Sequence, residues 1–343
     1  MDSRETIPDS LEALRYHGGN INAARQLFPH APVPWIDLST GINPVPYPVT
    51  DFPDASLYRL PEPAEQAALE AVAAKAYGAA PWAEIVAAPG TQAIIQWLPR
   101  IVAAARVGVL GPTYGEHEKC WRTAGAEIVN ATAPSDLAGC DCAVIVNPNN
   151  PDGRLLSPDA LKQLANQVGT LIVDEAFMDV IHPAASLAPM LPGNVVLLRS
   201  VGKAYGLAGL RLGFAVSAGD LAARLRAALG PWAVSGPAIA VGARALADSA
   251  WLADSVTRLS TDSARLDRLL KAAGFTIIGG TPLFRLARCA DGGGWFAKLA
   301  TAGILVRPFP ADTGLLRFGI PHGVSAWERL ETVLGSSSTI LQR

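Results

Sequence analysis

The segment RSVGKAYGLAGLRLG (199–213) brings a hydroxyl (Ser200), a primary amine (Lys203) and a guanidinium (Arg211) together among small and apolar residues. Burying a lysine charge is costly unless the charge is paired or the amine is chemically transformed. Lys203 is therefore either a solvated loop residue or an amine that bonds a carbonyl compound. Three clusters upstream bear on that choice. In PGTQ (89–92), Gly90, Thr91 and Gln92 precede the apolar run AIIQWL, and a helix starting there would turn backbone N–H groups toward an anion. NPNNPDG (147–153) fixes a turn and presents amides. LIVDEAF carries Asp174 at the end of an apolar run, where a carboxylate calls for a cationic partner. Taken singly, each has a plainer structural reading as a helix cap, a turn or a strand end.

A fourth cluster is RYHGGN (15–20), before INAARQLF. Ile21, Ala24, Leu27 and Phe28 share one helical face, and Asn20 is a good N-cap. Gly18 and Gly19 let the backbone approach a ligand, while His17 and Arg15 add positive charge. This is either a second anion site or a capped surface helix.

The elements that must position these groups alternate. Residues 64–77 place Leu69, Val72, Ala73, Ala76 and Tyr77 on one helical face, with Gly78 as the stop. VGVLG (107–111), CAVIVN (142–147), TLIVD (170–174) and NVVLLRS (194–200) read as strands, with a helix over 161–168. Val- and Leu-rich strands separated by helices predict an α/β fold with a mostly parallel sheet covered on both faces. In such sheets, ligands gather at the carboxyl ends of the strands. After Pro231 a long helical region (about 236–273) precedes FTIIGG, LFRLAR, GILVRPF and LLRFGI, which predicts a smaller α+β domain. The expected division is an N-terminal segment (1–49) packing with the small domain, a large domain (50–230) and the small domain itself (231–343). DGGGW (291–295) reads as a turn.

Composition removes other classes. Half of the 343 residues are apolar and the net charge is −2, with no basic block that would suit a nucleic acid. No apolar stretch approaches the ~18 residues needed to cross a bilayer, and MDSRETIPDS is no signal peptide, so a cytoplasmic protein is expected. Cys120, Cys140, Cys142 and Cys289 offer neither a disulfide framework nor a metal-ligand pattern.

The Gly-Thr helix start, N-P-x-N-P-x-G, strand-D-E-A, and S-x-x-K with an arginine eight residues beyond occur in one order between Gly90 and Arg211. That order resembles the fold-type I, class I/II aminotransferase-like family of pyridoxal-phosphate enzymes. The resemblance implies pyridoxal 5′-phosphate as cofactor, held covalently by Lys203. Asp174 would then pair with the pyridine nitrogen, and Asn150 with the ring oxygen. Gly90, Thr91, Gln92, Ser200 and Arg211 would form the phosphate cup, and Tyr114, in GPTYGEH, would stack on the ring. Tyr58, in LYRLPEP, resembles the tyrosine that reaches the cofactor phosphate from a neighbouring subunit, which implies a homodimer with shared active sites. Arg317, in LLRFGI, matches the arginine that grips a substrate carboxylate, a task suited to its planar fork. One departure stands out: many relatives have Tyr where this chain has Phe177, which leaves more of the ring-oxygen contact to Asn150.

Cofactor motifs do not choose which bond to the substrate Cα breaks. HGGN, followed by WIDLSTGINP (35–44), resembles the L-threonine-O-3-phosphate decarboxylase branch of cobalamin biosynthesis, and the likeness runs through nearly the full length. It implies that His17, Gly18, Gly19 and Asn20 bind the substrate phosphate. Arg317 and the neighbourhood of Asn43 would position the carboxylate, Asn150 would also contact the substrate, and Lys203 would return a proton to Cα. The rival is a histidinol-phosphate aminotransferase, in which HGGN is not expected. A regulator that senses an amino acid through this fold would need a basic DNA-binding module ahead of it, and the segment before WIDLS is not basic.

Overall fold

In the computed structural model, residues 18–50 and 55–335 are described. They divide into two compact units, one formed by 45–256 and the other by 1–44 with 257–343. The division falls at 44/45 and 256/257, compared with 49/50 and 230/231 in the sequence reading. The helix Gly236–Ala247 belongs to the larger unit because it packs on the helix Pro63–Tyr77. Gly242 makes that approach possible: a Cβ there would lie 2.2 Å from Leu212 Cδ2 and 3.4 Å from Leu69 Cδ1.

The larger unit is built on a seven-stranded sheet. Its order is Glu84–Ala88, Gly213–Ser217, Val195–Ser200, Thr170–Asp174, Cys142–Val146, Arg106–Leu110, Glu127–Ala131. Cys142–Val146 and Val195–Ser200 are buried at every position, because helices cover both faces and leave no polar side for alternation. Gly213–Ser217 runs antiparallel to both of its neighbours, so the sheet is mixed rather than wholly parallel. Trp121, Leu98, Ile94, Val107 and Ile172 belong to one buried core. Three parallel strands end side by side, with Val146 opposite Asp174 and Asp174 opposite Leu198. Ser200 in turn stands opposite Gly213.

In the smaller unit, a four-stranded antiparallel sheet has the order Arg307–Pro308, Leu315–Gly319, Phe284–Arg288, Thr276–Thr281. The N-terminal strand Ile36–Asp37 pairs in parallel with Ile304–Leu305, and Gly319 N–H donates to Leu38 O at 2.6 Å. The segment expected to be a turn at 291–295 is instead the start of a helix, Gly292–Thr301, which Asp291 caps by accepting from Gly294 N–H at 2.7 Å. The Asp cap and a following apolar face outweigh the low helix propensity of three glycines. The long helical region is two helices, Gly236–Ala247 and Ser249–Ala272. Among the described residues, no helix is long and apolar enough to cross a membrane. No cluster of His, Cys, Asp or Glu there suits a metal.

Candidate active site

The helix Thr91–Ile101 begins without a side-chain cap, because its N-cap is Gly90, at φ 82°. That conformation is open to glycine and strained for other residues. A Cβ on Gly90 would also lie 2.7 Å from Arg211 Nη2, so the guanidinium rests directly against the helix start. Gly213 completes the approach, since a Cβ there would meet Thr91 N at 2.6 Å. Because Gly213 pairs with Ala88 on one side and Ser200 on the other, it brings PGTQ and the Ser200 segment together. Arg211 itself is left-handed, φ 53° and ψ 57°, a conformation that costs an ordinary residue about 1–3 kcal/mol. Ser200 Oγ accepts from Gly202 N–H at 3.3 Å, which leaves its own hydrogen to donate. Arg211 thus rests at the start of the helix Thr91–Ile101, with Ser200 on the adjoining strand, residue types that suit a phosphate.

Asp174 is 4% exposed at the end of its strand, and Oδ1 accepts from Ala176 N–H at 3.0 Å. Its Oδ2 lies 2.9 Å from Nε2 of His117, which is buried on the helix Gly115–Thr123. Sequence reasoning missed His117. The available signal was its place three residues after Tyr114, on the same side of that helix. Tyr114 meets the His117 ring edge-to-face at 6.1 Å, and its hydroxyl donates to Gln92 Oε1 at 3.1 Å. Gln92 Nε2 in turn donates to Glu116 Oε2 at 3.2 Å. Tyr114 is therefore fixed from two directions, by the helix that starts at the anion cup and by the helix that carries His117.

Lys203 is half-buried on the short helix Val201–Ala204, and its Nζ lies 5.7 Å from the centroid of the Phe177 ring, within cation–π range. The departure from the family's tyrosine thus places an aromatic face, rather than a hydroxyl, toward the amine. The three asparagines of NPNNPDG separate into different tasks. Asn147 exchanges hydrogen bonds with the Leu156 backbone at 3.2 and 2.7 Å. Asn149 donates to Pro112 O and Asp152 Oδ1 and accepts from Thr113 Oγ1. Both are buried and hold the loop, whereas Asn150 is half-buried at its surface.

Pyridoxal phosphate needs an anion cup, a carboxylate for its pyridine nitrogen and an amine for its aldehyde. The residues present fit it on each count. Gly90 leaves Arg211 the room a side chain would fill, Asp174 is buried and held in place, and Lys203 follows the strand Val195–Ser200 that pairs with the Asp174 strand. Tyr58, on Ala55–Tyr58, is 83% exposed.

In the smaller unit, Arg317 is 3% exposed on Leu315–Gly319, with its Nη2 donating to Ser39 O at 2.9 Å and its guanidinium 5.1 Å from the Phe284 ring. Arg307 stands opposite it across the antiparallel pair. Burial first and the Arg307 charge second push the Arg317 guanidinium down to about 9, with Asp37 opposing. Two arginines abreast on one sheet suit an anionic ligand, and Arg307 was not singled out from the sequence, because only strand register reveals it. Asn43 is buried and accepts from Arg258 Nη2 at 3.1 Å. Asn20 caps the seven-residue helix Ile21–Leu27 through Ala23 N–H, as expected of it. Gly18 and Gly19 lie against Ser39, and His17 lies outside the described residues.

Residues 55–326 match the family model for aminotransferase class I and II. The chain is 42% identical to a threonine-phosphate decarboxylase of Pseudomonas aeruginosa, covering 93% of this chain and 96% of that protein. It is 38% identical to a threonine-phosphate decarboxylase of a Sinorhizobium species, over 94% and 98% of the two chains. In fold it is similar to the histidinol-phosphate aminotransferase of Sinorhizobium meliloti solved with pyridoxal-5′-phosphate, with a TM-score of 0.78, 18% identity, and 98% and 99% of the two chains covered.

Proposed function

The chain belongs to the class I and II aminotransferase family, and from that premise we propose that it is a pyridoxal-phosphate-dependent lyase that decarboxylates L-threonine O-3-phosphate. The product is (R)-1-amino-2-propanol O-2-phosphate, a building block for cobalamin. One observation carries the reading: identity of 42% and 38% to two threonine-phosphate decarboxylases over more than nine-tenths of the chain. Histidinol-phosphate aminotransferases match less well, at 27% identity over 89% of this chain and at 36% over only 52% of it.

When bound, the cofactor supplies an electron sink for the pair left on Cα as carbon dioxide departs. The protein's own groups do the rest. Lys203 would hold the cofactor covalently, and its amine, once freed from that bond, would return a proton to Cα. Asp174, oriented by His117, takes the pyridinium nitrogen, and Asn150 takes the ring oxygen. Gly90, Thr91, Gln92, Ser200 and Arg211 hold the cofactor phosphate, and Tyr114 lies on the ring. Arg317, with Asn43, binds the substrate carboxylate, and Arg307 adds charge for a doubly anionic substrate. His17, Gly18, Gly19 and Asn20 take the substrate phosphate. We read the working form as a cytoplasmic homodimer in which the exposed Tyr58 reaches the partner's cofactor phosphate.

The test is to incubate holoenzyme with L-threonine O-3-phosphate and no 2-oxo acid, and to follow carbon dioxide. Release matched by aminopropanol phosphate is the expected result. No release, with turnover of histidinol phosphate once 2-oxoglutarate is added, would overturn the proposal.

A further inference from the structure

We propose that Ser39 is a positioning residue that fixes the spacing between the Gly18–Gly19 backbone and the Arg317 guanidinium, and so selects substrates with two anionic groups. The inference rests on the proposed reading, in which those two places hold the phosphate and the carboxylate.

Ser39 is 2% exposed and is bonded from both of its ends. Its hydroxyl donates to Asp37 Oδ1 at 2.5 Å, and the same oxygen accepts from Ser39's own N–H at 2.8 Å. A hydroxyl has one hydrogen and two lone pairs. With the hydrogen committed to Asp37, a lone pair is left facing Gly19 N–H, which donates to it at 2.7 Å. Asp37 thus orients the hydroxyl, and the hydroxyl holds Gly19. The carbonyl of the same residue accepts from Arg317 Nη2 at 2.9 Å. Both proposed anion binders are therefore tied to one residue, separated only by its own covalent bonds.

The packing leaves no slack. A Cβ on Gly18 would lie 2.3 Å from Ser39 O and 3.0 Å from its Oγ, so the glycine backbone lies flush against Ser39. On the other side, Gly319 lets the Arg317 strand close in, because a Cβ there would lie 2.5 Å from Thr40 O. Gly319 N–H then donates to Leu38 O at 2.6 Å. Residues 38–40 are thus held between the glycine segment and the arginine strand. A ligand that matches this fixed separation gains both contacts without reordering either partner, which is how preorganisation favours binding.

The experiment uses holoenzyme and begins with wild type, where failure to release carbon dioxide from L-threonine O-3-phosphate would sink the functional reading before Ser39 is in question. With that activity in hand, Ser39→Ala should raise the KM for L-threonine O-3-phosphate about tenfold while kcat changes by less than about twofold. Binding of L-threonine, read from the visible absorbance of the holoenzyme, should change by less than about twofold. Asp37→Ala removes the acceptor that orients the Ser39 hydroxyl and should show the same selective loss. The double variant should lose no more than the worse single one, the signature of one shared interaction. Equal losses on both ligands, an unchanged KM, or additive effects would each overturn the proposal. If Ser39→Ala does not fold, Asp37→Ala, at an exposed position, carries the comparison on its own.

Discussion

Arg317→Met should make the protein more stable and nearly inactive. The guanidinium is 3% exposed and sits opposite another arginine. Burial first, and then Arg307, push it from the ordinary guanidinium range down to about 9. At about 1.4 kcal/mol per tenfold in acidity, holding the charge there costs about 5 kcal/mol as an upper figure. With its value lowered to about 9, the folded protein gives up this proton at a lower pH than the unfolded chain, which holds it into the ordinary guanidinium range. The unfolded chain therefore binds more protons in that window, stability rises with pH through it, and the full penalty applies below pH 9. The charged hydrogen bond to Ser39 O returns about 1.5–3 kcal/mol, which leaves roughly 2–3 kcal/mol against the arginine. Methionine keeps an unbranched apolar stem against Phe284 and removes the charge. Urea denaturation of the apoprotein at pH 7.5 should then show a gain of about 2 kcal/mol, with kcat/KM for L-threonine O-3-phosphate down by more than about a hundredfold. Loss of stability in the variant would refute the reasoning, since the arginine's contacts would then outweigh the cost of burying it.

Lys203→Ala should abolish the visible cofactor absorbance in dialysed protein, and a retained covalent adduct would place the reactive amine elsewhere. His117→Phe removes a buried hydrogen bond to Asp174, and leaving a buried polar group unsatisfied costs about 1–3 kcal/mol. The variant should have a lower thermal midpoint and weaker cofactor retention on dialysis, and unchanged retention would separate His117 from the cofactor. Gly90→Ala adds a side chain at φ 82°, 2.7 Å from Arg211 Nη2. Its cofactor Kd, titrated by absorbance, should rise at least about tenfold with circular dichroism unchanged. An unaltered Kd would remove the Gly90–Arg211 contact from the cup.

The central strands were legible because segments such as CAVIV and TLIVD are short apolar runs, and a strand buried on both faces writes that pattern directly. Lys203, Asp174 and the Gly90–Thr91 helix start were legible because each is tied to a local signal, a strand end or a helix start, in one order along the chain. Glu84–Ala88, Glu127–Ala131 and the antiparallel Gly213–Ser217 were not assigned beforehand. A strand's direction depends on its neighbours rather than on its own residues. DGGGW shows the limit of local propensity, because an Asp cap and an apolar face made a helix where three glycines suggested a turn. The sequence offered three asparagines in one loop, and only the folded loop assigns Asn147 and Asn149 to its own support. His117 meets Asp174 across 57 residues of chain, and Arg307 meets Arg317 through strand register. Ser39 holds Gly19, 20 residues before it, and Arg317, 278 residues beyond it. Residue types and local order therefore determined the cofactor chemistry, since that chemistry needs particular functional groups at the ends of elements. Tertiary structure decided which groups orient them and how far apart Gly19 and Arg317 stand, because those distances belong to packing between segments remote in sequence.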